Sequence, residues 1–471
     1  MARPKSTEKA RPRLPFRLIV VSNRGPYHLH RTKTGMRREK TIGGLVTSIL
    51  PMLEMFGGVW VAWGRPEGRY ESAPGQPGFD LRYIHLTAAQ EQAYYHGLAN
   101  SALWPLSHYF LGRVRYDDSQ WASYVDVNAQ FGNAVLEEAG PGDLVWVHDY
   151  HLALVPRFLR EKGLSARLAF FWHIPFPAAE VFRTLPWRKA LLEGLLSCDL
   201  IGFHIPEYAE NFIETAVEVL GAQPDGDEIS YAGRTTRVLA RPIGIDYQAV
   251  HREATSPRTE ERVQHLRRTL EGQAIIFGVE RMDYTKGILE RLKAIGYLLE
   301  HHPELHGKVT LIQAVTPSRS EVEAYRQQKR EIDEVVGRVN GRFSDGFWIP
   351  IRYLYRAISP AELISYYRAA DIALVTPLRD GLNLVAKEYV ASRVNSDGVL
   401  ILSEFAGVAR QLPEALLVNP YSVEEMAGAL VQALLMPVEE QRRQMQPMQA
   451  RIAEQDISWW AKEFLKYFDA F

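Results

Sequence analysis

Two charged residues in the second half of the chain have the types and spacing of an anion-binding pair. Arg281 and Lys286 stand five positions apart, directly after the apolar run 274–279, which predicts a buried strand. An arginine offers a planar fork of donors and a lysine a compact charge, a combination suited to a diphosphate. Loop arginines and lysines are usually just solvated, so the pair alone leaves both interpretations open.

A second loop of this kind spans residues 376–389 and follows the apolar run 371–375. A strand, a glycine turn and a helix start form a phosphate-binding geometry. Gly381 lets the backbone approach a ligand, and the free amides of Leu384 and Val385 point out of the helix start. We therefore expect an anion here. The alternative is an ordinary strand–helix turn with a solvated acidic helix start.

Two carboxylates, Asp380 and Glu388, bracket that helix start. Carboxylates are poorly placed to hold phosphate, but they accept hydrogen bonds from sugar hydroxyls. An anion site flanked by carboxylates therefore predicts a phosphate-linked sugar as the ligand.

Polar residues also follow predicted strands in the first half of the chain. Arg24, Asp149 and His173 each follow a predicted strand within a few residues. His148, Asp149 and His151 are candidate metal ligands by residue type, but no fourth ligand of matching spacing accompanies them. We therefore expect hydrogen-bonding roles for Asp149 and His173, and no metal site.

Two aromatic residues and a third arginine complete the candidates. Tyr95 and Trp104 are able to stack on a sugar, although core packing is the preferred explanation for both without other support. Arg319 follows the apolar run 309–314 and would hold a second anion together with Arg24, or else is a solvated rim charge.

Other motifs exclude function classes. The acidic pair Asp225 and Asp227 lies in a polar Pro- and Gly-containing segment and indicates a surface turn rather than a metal site. No Gly-x-Gly-x-x-Gly follows any predicted strand and no Walker-type loop is present. The sequence thus argues against NAD binding and ATP hydrolysis.

Length and composition indicate a soluble two-domain protein. The chain has 471 residues, 46% of them apolar and 24% charged. Its net charge of −1 gives no general attraction to nucleic acid or to anionic membranes. The lone Cys198 predicts a buried thiol and fits a reducing cytoplasm, and no apolar stretch is long enough to span a bilayer. Residues 1–14 predict a disordered basic tail.

Strands alternate with helices in two series, which predicts an α/β fold of two facing, doubly wound parallel sheets. We expect domains at 15–242 and 243–456, a helix at 457–471 that packs back on the first domain, and a ligand in the cleft between the domains. The basic segment 25–42 is predicted as a loop, and the helix after it is predicted to be interrupted at Pro51.

Six segments together resemble a known family. They are residues 22–24, 43–45, 146–152, 173–177, 280–287 and 376–389. In order and in spacing they are similar to the trehalose-6-phosphate synthases, retaining glycosyltransferases of the two-domain GT-B fold in glycosyltransferase family 20. The resemblance extends from Phe16 to the last helix, and the glucosylglycerol-phosphate synthases are close relatives.

The resemblance implies a reaction and its substrates. Glucose would pass from a nucleoside-diphosphate glucose, UDP-glucose in preference to ADP- or GDP-glucose, to glucose 6-phosphate. The product would be trehalose 6-phosphate, an osmoprotectant precursor. The departing phosphate would take the acceptor's proton. No cofactor or metal, no nucleic acid and no membrane is implied, and a homo-oligomer is compatible with it.

The resemblance also implies a role for each candidate residue. The residues implied to act in catalysis are Arg281, Lys286, Asp380, His173 and Asp149. Those implied to bind the donor are Gly43, Gly44, Arg281, Lys286, Asp380, Gly381, Asn383, Leu384, Val385 and Glu388. Those implied to bind the acceptor are Arg24, Trp63, Tyr95, Trp104, Asp149 and Arg319.

Three alternatives stay open at this point. The long basic segment 25–42 resembles the glucosylglycerol-phosphate synthases, which use glycerol 3-phosphate as acceptor. A non-catalytic sugar-phosphate sensor is a second alternative, although such a protein would be expected to lose the charges that are present here. A pyridoxal-dependent phosphorylase of the same fold would require a buried lysine that forms a Schiff base.

Overall fold

The computed structural model describes residues 14–32, 35–41, 44–72, 78–318 and 323–469. The chain divides into two compact units. Unit 1 comprises Met1–His173, Pro177–Arg241 and Trp460–Phe471, and unit 2 comprises Ile174–Phe176 and Pro242–Trp459. Gly43, Arg319 and residues 1–13 of the predicted basic tail lie outside the described residues.

Unit 1 contains a ten-stranded sheet and a separate hairpin. The strands are β1 (Leu18–Arg24), β2 (Tyr27–Thr32), β3 (Gly35–Lys40), β4 (Gly58–Trp63), β5 (Gly68–Tyr70), β6 (Phe79–Ile84), β7 (Leu144–His148), β8 (Arg167–Phe171), β9 (Leu200–Phe203), β10 (Gln223–Asp225), β11 (Glu228–Tyr231) and β12 (Arg234–Ala240). β2 and β3 form the hairpin, and the sheet runs β10-β11-β12-β9-β8-β7-β1-β4-β6-β5. From β12 to β6 every pairing is parallel.

Helices connect the parallel strands of unit 1. They are α1 (Gly44–Phe56), α2 (Ala88–Gln90), α3 (Trp104–Ser107), α4 (Asp118–Glu138), α5 (Val155–Glu161), α6 (Ala179–Phe182), α7 (Arg188–Leu195) and α8 (Pro206–Leu220), with a further helical segment over Glu91–Leu103 that is kinked at Gly97. The central strands are buried along almost their whole length, because a parallel sheet carries helices on both faces.

Two expectations about the segment after β1 are wrong. The predicted loop forms the hairpin of β2 and β3, in which Tyr27 and Leu29 are buried and the intervening His28 is exposed. That alternation is a strand signal which the many charges obscured. Pro51 lies inside the continuous helix α1. Burial of its neighbours Leu50 and Leu53 offsets the lost backbone hydrogen bond.

Unit 2 is built on a six-stranded, all-parallel sheet in the order β15-β14-β13-β16-β17-β18. Its strands are β13 (Ala274–Arg281), β14 (Val309–Thr316), β15 (Ile351–Tyr355), β16 (Ile372–Val375), β17 (Val399–Ser403) and β18 (Leu416–Val418). Counted within the unit, this is the 3-2-1-4-5-6 order of a nucleotide-binding Rossmann domain. The predicted α/β class with two Rossmann-like parallel-sheet domains is therefore confirmed.

The helices of unit 2 flank this sheet. They are α9 (Tyr247–Ala254), α10 (Pro257–Thr269), α11 (Ile288–His301), α12 (Glu323–Phe343), α13 (Pro360–Ala369), α14 (Leu384–Ser392), α15 (Val423–Leu435) and α16 (Val438–Glu454). A last helix, α17 (Ile457–Leu465), ends in unit 1. There the rings of Trp460 and Phe464 stack on Trp146, with centroids 5.0 and 4.3 Å apart. Within the described residues no helix is long and apolar enough to cross a bilayer.

Candidate active site

Strand order brings the two charged loops of unit 2 together. β13 and β16 are neighbours, although almost a hundred residues separate them in the chain. The order of the sheet reverses between them, and ligands of open parallel sheets bind at such a switch point, beyond the carboxyl ends of the strands. Arg281 ends β13, and the loop that contains Asp380 follows β16.

Backbone contacts hold the two loops against each other. The amide of Leu378 donates to the carbonyl of Thr285 at 2.8 Å. Gly287 has φ +64°, and a Cβ atom at this position would lie 2.1 Å from the carbonyl oxygen of Thr376. Only glycine fits here, because the site requires both a left-handed backbone and a close approach of two chains.

Gly287→Ala is therefore expected to lower the free energy of unfolding by about 2 to 4 kcal/mol, because strain and a backbone clash add together. The matched control is Gly307→Ala. Gly307 has φ +74°, and a Cβ atom added there would meet nothing within 4 Å, so only the strain remains. Urea unfolding followed by circular dichroism measures both variants. Equal losses in the two variants would show that the contact with Thr376 is unimportant.

An ion pair joins the loops at their charged ends. Lys286 Nζ donates to Asp380 Oδ2 at 2.5 Å, and Asn383 Nδ2 donates to the same oxygen at 3.0 Å. Burial lowers the pKa of Lys286, but Asp380 and Glu280 outweigh burial and raise the pKa overall. The ammonium is therefore charged at neutral pH and stands beside a carboxylate that is fixed in place.

Arg281 is an exposed cation of the site. A buried network of hydrogen bonds and an ion pair lies behind it. Arg291 is fully buried and donates to Thr376 Oγ1 at 3.2 Å and to Gln313 Oε1 at 3.1 Å. Burial raises the pKa of Glu280, which lies 3.5 Å from Arg291, although Lys286 and Arg291 oppose the rise. This network fixes the strand end and the loop from within.

Arg291 was not among the predicted residues, although the sequence contains a signal for its burial. The residue lies on the apolar face of α11, in line with Ile288, Leu292 and Ile295. A charged residue at helical spacing among apolar ones indicates a buried charge with partners.

The start of α14 has the expected arrangement of a turn that leads into a helix start. Asn383 is the N-cap, with φ +88°, and its side chain accepts a hydrogen bond from the amide of Ala386. Leu384 and Val385 are the first two helical residues, so their amides have no acceptor one turn back. A Cβ atom on Gly407 would lie 2.2 Å from the carbonyl of Gly381, so the turn is packed against a neighbouring loop.

Glu388 lies one turn further along α14 and accepts a hydrogen bond from the hydroxyl of Tyr367 at 3.0 Å. Burial raises its pKa to about 7, although the hydrogen bond from Tyr367 opposes the rise. At neutral pH this carboxyl is therefore close to half-protonated and able both to accept and to donate hydrogen bonds. Tyr367, on α13, was not among the predicted residues.

The raised pKa of Glu388 predicts a pH dependence of stability. The folded state binds this proton more tightly than the unfolded state. The contribution of Glu388 to stability is therefore fully present below about pH 4.5 and is lost as pH rises to about 7. The expected loss relative to Glu388→Gln is about 3 kcal/mol over that window. Thermal unfolding between pH 4 and 8 measures it. Parallel plots of stability against pH for the two proteins would contradict the raised pKa of Glu388.

In unit 1 the candidate acceptor residues also gather where the sheet reverses, between β1 and β7. Arg24 ends β1, and its Cζ lies 5.0 Å from the ring centroid of Tyr95 and 5.7 Å from that of Trp63. The aromatic faces hold the guanidinium in place and leave its donors available. Tyr95 in turn stacks on His151, with centroids 5.7 Å apart.

Asp149 follows β7 in a strained conformation, with φ +75°. Its Oδ1 accepts hydrogen bonds from the amides of Tyr150 at 3.0 Å and His173 at 3.3 Å. Left-handed non-glycine residues are uncommon and concentrate at functional sites. The structure thus brings Asp149 and His173 together at the ends of β7 and β8.

The other predicted residues are placed as follows. Trp104 is buried, with its ring 4.1 Å from that of His108 and 6.0 Å from that of Tyr150. Gly44 begins α1, whereas Gly43 and Arg319 are not described. Asp225 ends β10 and Asp227 lies in the exposed turn to β11, as the surface-turn interpretation predicts. Within the described ranges, no group of three His, Cys, Asp or Glu side chains could hold a metal ion.

The chain is similar to known proteins over almost its whole length. A family model described as glycosyltransferase family 20 matches residues 16–470. The bifunctional trehalose-6-phosphate synthase/phosphatase of Thermoproteus tenax is 42% identical over 464 residues, which cover 96% of this chain and 63% of that protein. The chain thus spans less than two thirds of that relative. The glucosylglycerol-phosphate synthase of Picosynechococcus sp. is 38% identical over 95% of this chain and 96% of its own length.

The fold of this chain also matches that of a solved structure. The alpha,alpha-trehalose-phosphate synthase (UDP-forming) from Burkholderia xenovorans, in complex with glucose-6-phosphate, matches with a TM-score of 0.89 and 34% identity. The match covers 96% of this chain and 100% of that one.

Proposed function

The chain belongs to glycosyltransferase family 20, and we propose that it transfers glucose from UDP-glucose to glucose 6-phosphate, with release of UDP and formation of trehalose 6-phosphate. The observation that carries this proposal is the cationic cradle of unit 2, where Arg281, Lys286 and the start of α14 meet at the switch point of the sheet. The solved Burkholderia relative is UDP-forming and binds glucose-6-phosphate, which supports both substrates.

The cradle acts on the leaving group. Breaking the bond between the sugar and the phosphate places growing negative charge on the diphosphate. Arg281, Lys286 and the amides of Leu384 and Val385 stabilise that charge, because they are fixed before the reaction begins. The departing phosphate oxygen accepts the proton of the acceptor hydroxyl.

Carboxylates and a histidine orient the donor. Lys286 and Asn383 hold the Asp380 carboxylate in place, and this carboxylate accepts hydrogen bonds from hydroxyls of the transferred glucose. His173 holds a further hydroxyl of that glucose. Glu388 pairs with the ribose hydroxyls.

Arg24 binds the phosphate of the acceptor. Its guanidinium lies against Tyr95 and Trp63, and this stacking pre-orients the planar fork for a phosphate. Asp149 accepts a hydrogen bond from a hydroxyl of the acceptor sugar, and its strained backbone places the carboxylate at the end of β7.

Two cations at the diphosphate replace a divalent metal. We therefore expect kcat and KM to stay unchanged in excess EDTA, because Arg281 and Lys286 already supply the charge that Mg²⁺ supplies in other phosphate sites. Initial rates of UDP release with and without the chelator measure this. Loss of activity that Mg²⁺ restores would contradict the proposal.

The proposal is tested by separating the acceptors. The protein is incubated with UDP-glucose and either glucose 6-phosphate or glycerol 3-phosphate, and UDP release and the phosphorylated product are measured. Release with glucose 6-phosphate alone supports the proposal. Release with glycerol 3-phosphate alone would establish the second candidate, which the similarity to the Picosynechococcus enzyme favours. Binding of sugar phosphate without any turnover would indicate a sensor.

A further inference from the structure

In unit 1 a buried histidine, His148, contacts His173, a residue of the candidate site. His148, the last residue of β7, is fully buried, and its Nδ1 lies 3.0 Å from Nε2 of His173. His173 follows β8, the strand that pairs with β7 in parallel. The two rings stack with centroids 5.3 Å apart. One of the two nitrogens must donate and the other must accept.

Both rings are neutral at physiological pH. Burial lowers the pKa of His148 well below its usual range, and the neighbouring His173 lowers it further. Burial lowers the pKa of His173 in the same way, with a smaller contribution from His204. A neutral imidazole carries one hydrogen, so the direction of this single bond fixes the tautomers of both residues.

The surroundings of His148 decide that direction. Its second nitrogen, Nε2, is buried and has no hydrogen-bond partner among the described residues. Trp146 lies on the same face of β7 with its ring 4.9 Å from His148, and its Nε1, which can only donate, is also buried without a described partner. A hydrogen on His148 Nε2 would add a second unsatisfied donor to this region, at a considerable cost in stability.

The lower-energy arrangement therefore has the hydrogen of His148 on Nδ1, where it is donated to His173 Nε2. His173 must then carry its own hydrogen on Nδ1. His173 as a residue is intermediate in burial, and its Nε2 is occupied by His148, so Nδ1 is the nitrogen left to meet a ligand.

We propose that His148 is a positioning residue that fixes His173 in the Nδ1–H tautomer, so that His173 donates a hydrogen bond to a hydroxyl oxygen of the transferred sugar. The proposal rests on the proposed function for the identity of the sugar. The tautomer itself follows from unit 1 alone and is measured without turnover.

The test combines a spectrum with kinetics. The full chain is labelled with ¹⁵N-histidine, and long-range ¹H–¹⁵N correlation spectra report which nitrogen of each ring carries hydrogen. The signal of His173 is assigned by its loss in His173→Gln. In the unsubstituted protein we expect hydrogen on Nδ1 of His173.

Two variants of His148 distinguish the effect of its N–H donor from the effect of its aromatic ring. His148→Phe keeps an aromatic ring but removes the donor, so His173 should lose its single tautomer and kcat should fall about tenfold. His148→Asn offers an amide N–H near the position of Nδ1–H and should restore both the tautomer and most of kcat. Trp146→Phe is the control, because it perturbs the same core but leaves the nitrogen pair in place.

Three outcomes overturn the inference. They are a hydrogen on Nε2 of His173 in the unsubstituted protein, an unchanged His173 tautomer in His148→Phe, or equal effects of His148→Phe and Trp146→Phe on the tautomer and kcat. If the tautomer is as expected but no nucleotide-glucose is turned over, the proposed function fails while the assignment of His148 stands.

Discussion

Arg281→Ala is expected to reduce kcat/KM by roughly 30- to 5,000-fold, which corresponds to about 2 to 5 kcal/mol of transition-state stabilisation. The reason is that Arg281 would meet the diphosphate as its charge grows, and alanine leaves that charge with only Lys286 and the helix start. Folding should be unaffected, because Arg281 is exposed at the end of β13. Steady-state kinetics of UDP release measure the effect.

The control for this variant is Arg338→Ala. Arg338 is an exposed arginine of the same unit on α12, where it pairs with Glu334 one turn away. Its removal should leave kcat/KM within a factor of about two, because exposed ion pairs contribute little. If Arg281→Ala and Arg338→Ala behave alike, Arg281 does not belong to the site.

Arg24→Ala is expected to raise the KM for glucose 6-phosphate by roughly 10- to 150-fold, since charge-assisted hydrogen bonds contribute about 1.5 to 3 kcal/mol. The dissociation constant for UDP should not change, because Arg24 belongs to unit 1, whereas the residues proposed to hold the diphosphate and the ribose belong to unit 2. Isothermal titration with UDP and initial rates at varied acceptor concentration separate the two quantities.

Two substitutions serve as controls for Arg24. Arg24→Lys retains the charge but loses the planar fork between Tyr95 and Trp63, so its KM should be intermediate. Arg17→Ala removes an arginine just before β1, at the opposite end of the strand, and should leave KM unchanged. A weaker affinity for UDP in Arg24→Ala, with an unchanged KM for the acceptor, would show that the roles of the two units are assigned wrongly.

Much of the fold could be predicted from the sequence, because a buried parallel strand gives a short apolar run bounded by turn residues. The runs at 144–148 and 274–279 fall within strands of the structure. The loops that carry Arg281 and Asp380 could also be predicted to lie at strand ends. Strand order could not, because the pairing of β13 with β16 depends on contacts between residues distant in the chain.

The contacts that fix the site residues in place could not be predicted from sequence patterns. Nothing in the residue types indicates that Asp380 Oδ2 is shared by Lys286 and Asn383, because that sharing requires two loops to meet. The same holds for the pairing of His148 with His173 across two strands. In the hairpin of β2 and β3, by contrast, the alternation of Tyr27 and Leu29 was readable but was outweighed by the charged residues around it.

The claim on which the account depends is that the loops after β13 and β16 hold the diphosphate of a nucleotide sugar. A crystal structure of the protein with a non-transferable UDP-glucose analogue tests it most directly. We predict that the diphosphate oxygens lie within hydrogen-bond distance of Arg281, Lys286 and the amides of Leu384 and Val385. A diphosphate bound away from these four residues would contradict the account.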